Sequence, residues 1–69
     1  MKRSPVESSS LASVGYDPDT RIPEIEFRNG SVYQYSEVPA SAHAALMSAD
    51  SHGKYFSRHI RQSFRYREL

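Results

Sequence analysis

The sequence predicts an α+β domain: a three-stranded antiparallel meander followed by two C-terminal helices packed on one face, with a short fourth strand allowed at the end. Three observations carry this. Apolar and polar residues alternate over 11–16 and again over 24–28. Asn29-Gly30 is a strong hairpin signal. Beyond Pro39 the apolar spacing changes from two residues to three and four, the period of a helix.

The first ten residues are polar and contain Ser8-Ser9-Ser10, so they read as a flexible tail before a single domain over 11–69. From Leu11, residues Ala12, Val14 and Tyr16 share one side of a strand and Ser13 and Gly15 the other. Asp17-Pro18-Asp19-Thr20 makes a turn, with Pro18 presetting φ and the aspartates bonding local backbone. Pro23 has no backbone donor and marks the start of the next strand or its unpaired side.

Register at the hairpin decides where Tyr33 and Tyr35 point. A two-residue loop pairs Phe27 with Val32 and turns both tyrosines toward Glu24 and Glu26. A three-residue loop, Arg28-Asn29-Gly30, with Gly30 left-handed in a bulge, pairs Ile25 with Tyr33. The second register gathers Ile25, Phe27, Tyr33 and Tyr35 on one face and Glu24, Glu26, Gln34 and Ser36 on the other. Because a one-residue slip exchanges the faces, the cleaner segregation favours the three-residue loop. The tyrosines are then core residues with hydroxyls at the rim, a reading this register favours over a stacking platform for unpaired bases. The outer face shows Glu24 and Glu26, which repel phosphate.

Pro39 suits a first helical turn, and Ala42, Leu46 and Ala49 follow at helical spacing. Ser51 or Asp50 caps a second helix from about His52 to Gln62. On it Lys54, Arg58, Arg61 and Arg65 fall within a stripe roughly 60° wide, opposite Phe56, Ile60 and Phe64. Phe64-Arg65-Tyr66-Arg67 alternates once more and fits a short final strand or an extended tail.

The net charge is +1, but residues 1–50 carry four Lys/Arg against seven Asp/Glu and residues 51–69 carry five against one. The basic back half favours an anionic partner. Lys54, Arg58, Arg61, Arg65 and Arg67 are the candidate nucleic-acid-binding residues, with Lys2 and Arg3 assisting; a solvated amphipathic face is the plainer use of the same pattern. An exposed strand edge at 11–16, or the aromatic segment 64–66, offers a rival role in protein interaction or homodimerisation.

Catalysis has little support. Asp50-Ser51-His52 is contiguous, whereas catalytic triads converge from separate segments. His52 and His59 lack a nearby third metal ligand. Three scattered glycines make no phosphate loop or cofactor fingerprint. The expectation is a protein that is not an enzyme and takes no cofactor and no metal. The start of the chain is followed by no apolar run, so no signal peptide or membrane contact is expected and the reading is cytoplasmic. Cysteine is absent, so packing alone must hold a small core, and about 3–5 kcal/mol of stability is expected.

The ordered set Val14-Gly15-Tyr16-Asp17, Glu24-Ile25-Glu26-Phe27, Asn29-Gly30, Tyr33-Gln34-Tyr35, Val38-Pro39, Leu46, Ser51, Gly53-Lys54-Tyr55-Phe56, His59-Ile60-Arg61 and Tyr66 resembles the KTSC domain. That family is named after the C-terminal region of certain lysyl-tRNA synthetases, and Tyr-x-Tyr is its hallmark. The similarity covers nearly all of residues 10–68. It implies a small stand-alone bacterial protein of unestablished function, with tRNA as the ligand suggested by the synthetase association, and structural roles for Gly30, Tyr33 and Tyr35. The chain departs from the family's usual residues at Pro23, His43, Ser57 and Arg65.

Overall fold

The computed structural model describes residues 2–69; Met1 of the tail lies outside them. The fold is α+β. One antiparallel sheet runs in chain order through β1 (Arg3–Pro5), β2 (Leu11–Asp17), β3 (Ile22–Phe27), β4 (Val32–Tyr35) and β5 (Tyr66–Glu68). Between β4 and β5 lie α1 (Ala40–Ser48) and α2 (His52–Tyr55), the latter continuing into a π-helical turn, Phe56–Ile60. Leu11, Val14, Ile25 and Tyr35 of the sheet meet Val38, Leu46, Phe56 and Ile60 in one buried core. Among the described residues, no helix is long and apolar enough to cross a membrane.

The hairpin takes the three-residue register, with Ile25 opposite Tyr33. Gly30 has φ +93°. Its N–H donates to the Phe27 carbonyl at 3.0 Å, and the Phe27 N–H donates to Ser31 at 2.9 Å. A Cβ at Gly30 would meet nothing within 4 Å, so only the backbone conformation demands glycine there. Gly30→Ala is therefore expected to cost about 1–2 kcal/mol, read as a lower urea midpoint at unchanged slope. A wild-type midpoint would mean the corner tolerates a side chain freely.

Pro23 ends the ladder between β3 and β4. The N–H of Phe27 points toward β4, so by the two-residue period the nitrogen of position 23 does too. Proline has no hydrogen to give, and pairing stops at Glu24 opposite Gln34. The Asp-Pro turn forms as the residues dictate, the Asp17 carboxylate accepting the Asp19 N–H at 3.0 Å. Ser51 caps α2, its Oγ accepting the Lys54 N–H at 3.2 Å. The His43 ring stacks on Tyr16 at 4.5 Å and 7°. Burial pushes its pKa down, which favours the neutral imidazole over the charged one.

Three expectations need correction. The N-terminal stretch is not all tail, since Arg3–Pro5 pairs with β2 and extends the sheet to five strands; the strand at 11–16 is therefore interior and not an exposed edge. The outer face is also not an open acidic surface. Arg3, Gly15, Glu24, Gln34 and Arg67 form one transverse row across all five strands. Gly15 has no side chain, so Arg3 reaches over β2 to Glu24 at 2.8 Å. The other Glu24 oxygen accepts from Gln34 at 3.0 Å, and Arg67 donates to Gln34 at 3.2 Å. Glu24 is thereby only 9% exposed, and Glu26 accepts the Ser13 hydroxyl. Pairing, not open water, is the state of these carboxylates.

Candidate nucleic-acid interface

Tyr33 and Tyr35 lie on the helix-facing side of β4 because the hairpin register puts them with Ile25. Tyr35 is 3% exposed, as a core residue should be. Tyr33 is only half-buried. β5 pairs Tyr66 with Tyr35 and Glu68 with Tyr33, so Tyr66 joins the same face while Arg67 goes to the other.

Five rings then close a cycle. Phe27 meets Tyr33 at 5.5 Å, Tyr33 meets Tyr66 at 5.5 Å, and Tyr66 meets Tyr35 at 5.5 Å. Tyr35 meets Phe56 at 5.4 Å, and Phe56 returns to Phe27 at 5.4 Å. The edge-to-face and tilted geometries are those that aromatic quadrupoles prefer. The cycle floors a cleft of about 770 Å³ between the sheet and the π-turn. Asn29 and Ser31 stand at its hairpin end, and Ser57, Arg61 and Gln62 line its helical wall.

The π-turn explains how Arg61 reaches this cleft. The Arg61 N–H donates to the Phe56 carbonyl, five residues back, at 2.9 Å. In this wider helix each residue advances through a smaller angle, so spacings of three and four no longer return to one face. The predicted four-residue stripe is accordingly divided. Lys54 and Arg58 are exposed on the helix, and Arg61 lines the aromatic cleft. Arg65 lines a shallow depression that shares Gln62, Phe64 and Tyr66 with the cleft. Arg67 belongs to the opposite sheet face through Gln34. On the other side of the same segment Phe56 and Ile60 are buried as expected, and Phe64 packs against the core.

Electrostatics keep the phenols neutral. The charge of Glu68 is the main cause raising the Tyr33 pKa above its ordinary 10.0, followed by burial and by the hydroxyl's own bond to Glu68 at 3.4 Å. Burial is the main cause raising Tyr35, and Arg61 opposes the rise at both. The Tyr33 and Tyr35 rings therefore offer π-faces and hydroxyls at physiological pH, not phenolates. Tyr66, for which the sequence allows a short final strand or an extended tail, lies in the strand β5 and is 60% exposed. Its parity with Phe64 was the available signal.

Sheet order, hairpin and aromatic cycle define a small α+β domain with a cation-bordered aromatic cleft. Residues 7–64 match the KTSC domain, and the chain belongs to that family. It is 48% identical to a KTSC domain protein from Yersinia pestis whose crystal structure superposes with a TM-score of 0.94, over 99% of this chain and 96% of that one. An uncharacterized protein of Stutzerimonas stutzeri is 46% identical over 67 residues, 96% of this chain and 94% of that protein. A lysine–tRNA ligase of Nostoc is 36% identical over 63 residues, which are 91% of this chain but 11% of the ligase.

Proposed function

We propose that this domain is a non-catalytic RNA-binding module that takes tRNA or other RNA through its C-terminal cations. The observation that carries this reading is the charge surface. Lys54, Arg58, Arg61 and Arg65 are exposed, and among the described residues none of them forms a salt bridge, the one ion pair being Arg3 with Glu24. Cations left without carboxylate partners are available to phosphates. The lysine–tRNA ligase relatives support the choice of ligand, since a domain occupying 11% of their length is suited to an auxiliary contact beside a larger tRNA-binding body.

Four phosphate contacts on single-stranded RNA give a salt slope of about −3, at roughly 0.7 per contact. Arg58→Glu/Arg61→Glu is expected to weaken binding at low salt by at least about tenfold and to flatten the slope by at least about 1.4. Fluorescence anisotropy with bulk tRNA at a series of salt concentrations measures both. Equal binding by this variant would remove the cations from the interface.

A second reading, self-association through β5, is favoured by the exposure of Tyr66 and Leu69, each 60%, at an open sheet edge. It requires a concentration-dependent mass in sedimentation, and a monomer at all concentrations would dismiss it.

A further inference from the structure

We propose that the aromatic cleft is a site for one unpaired nucleobase of single-stranded RNA, stacked on Tyr66 and Tyr33 with its phosphate on Arg61. This inference rests on the RNA-binding reading above and assigns it a specific pocket.

The cycle of rings divides into a floor and a platform. Tyr35 and Phe56 are each 3% exposed and hold the core. Tyr66 is 60% exposed on an edge strand, and Tyr33 is half-buried beside it. These two rings are tilted 55° to each other, so they are not stacked face to face. A planar π-system fits such open faces better than an aliphatic side chain does. The rest of the lining points the same way: among the described residues Leu11 is the sole aliphatic side chain in it, fully buried, while the walls carry amide, hydroxyl and guanidinium groups beside Phe64.

Charge and hydrogen bonding add direction. The π-turn directs Arg61 into this cleft and away from the outer helix, and a guanidinium can grip phosphate while lying against a ring or base. Arg65 borders the adjoining depression, where the next phosphate along a strand would pass. Glu68, tied to the Tyr33 hydroxyl, is the one carboxylate side chain of β5. At the hairpin end, Asn29 Oδ1 accepts the Ser31 N–H at 3.0 Å, which orients its amide and leaves the Nδ2 hydrogens for a base carbonyl. The volume, about 770 Å³, lies within the range of roughly 300–1,000 Å³ usual for small-ligand sites.

Duplex RNA keeps its bases stacked and paired, so only single strands can use this pocket. The test compares an unstructured oligoribonucleotide and a duplex of equal length, by anisotropy, with the wild type, Tyr66→Ala and Tyr66→Leu. Leucine retains apolar bulk in the cycle but has no π-face, which guards against a folding artefact; amide shift dispersion checks the fold of each. Both variants are expected to lose about tenfold or more on the single strand and nothing on the duplex. Tyr33, Tyr66 and Arg61 side-chain resonances of the wild type are expected to shift with the single strand. If RNA binds and both variants match the wild type on single strands, the cations act alone and the pocket assignment is wrong. If the wild type binds neither RNA, the RNA-binding reading itself fails. Resonances at the cleft that move instead with protein concentration would make it a protein interface and overturn the assignment.

Discussion

Replacing Tyr35 by alanine is expected to leave the chain largely unfolded at room temperature. The side chain is 3% exposed and lies 5.4 Å from the Phe56 ring and 5.5 Å from the Tyr66 ring, so its loss opens the centre of the five-ring cycle. Truncating a buried large aromatic costs about 3–5 kcal/mol, as much as a core of this size supplies, about 3–5 kcal/mol. Tyr35→Phe is the decisive control. The Tyr35 hydroxyl is not among any buried polar atoms left unpaired, there being none among the described residues, so phenylalanine keeps the packing and is expected to fall within about 1.5 kcal/mol of wild type, as volume-conserving changes do. Near-ultraviolet circular dichroism and urea titration separate the two. A cooperative transition for Tyr35→Ala close to the wild-type midpoint would show that the ring is peripheral, and the cleft would then have no fixed floor.

The contrast with Tyr33 shows what could be read from the sequence. Both tyrosines share a strand face, and that face was legible because the Asn29-Gly30 corner and the segregation of Ile25 and Phe27 from Glu24 and Glu26 select one register. Alternation fixes a face but not its coverage. Tyr33 sits beside an edge strand and lines the open cleft, so it is only half-buried although its parity matches Tyr35. The N-terminal strand was illegible for another reason. Arg3–Pro5 has no apolar alternation, and its place depends on pairing with β2 and on Arg3 crossing the bare Gly15 to Glu24, contacts between residues far apart in sequence. The π-turn was hidden because a charge pattern read at 3.6 residues per turn assumes the helix it is used to predict. One carbonyl, that of Phe56, accepts from Arg61; that single shift moves Arg61 from the solvated stripe into the cleft.

The second large effect is expected at a residue remote from the cleft, Leu46. Helix α1 spans nine residues, Ala40–Ser48, below the roughly 12–15 that an isolated helix needs in water. Its N-cap, Pro39, makes no side-chain capping bond, and the helix has no acidic residue in its first turn and no basic one in its last. With neither caps nor dipole compensation, it holds by packing, and Leu46 is its one buried residue, 0% exposed. Leu46 also ties the two helices together, because its carbonyl accepts from His52 Nδ1 at 2.8 Å at the start of α2. Leu46→Ala is expected to cost about 2–5 kcal/mol, whereas Leu46→Met should cost less than about 1.5 kcal/mol. Hydrogen exchange should show residues 40–48 losing protection before the central strands β2 and β3. Since α2 and the π-turn follow directly from this contact, Arg61 should lose its fixed position in the cleft wall as well. Single-stranded RNA binding would then weaken in the fraction still folded, although no cleft residue has changed. Protected α1 amides in Leu46→Ala would show that Ala42 and Met47 suffice to dock the helix, and the placement of Arg61 would have to rest on the π-turn alone.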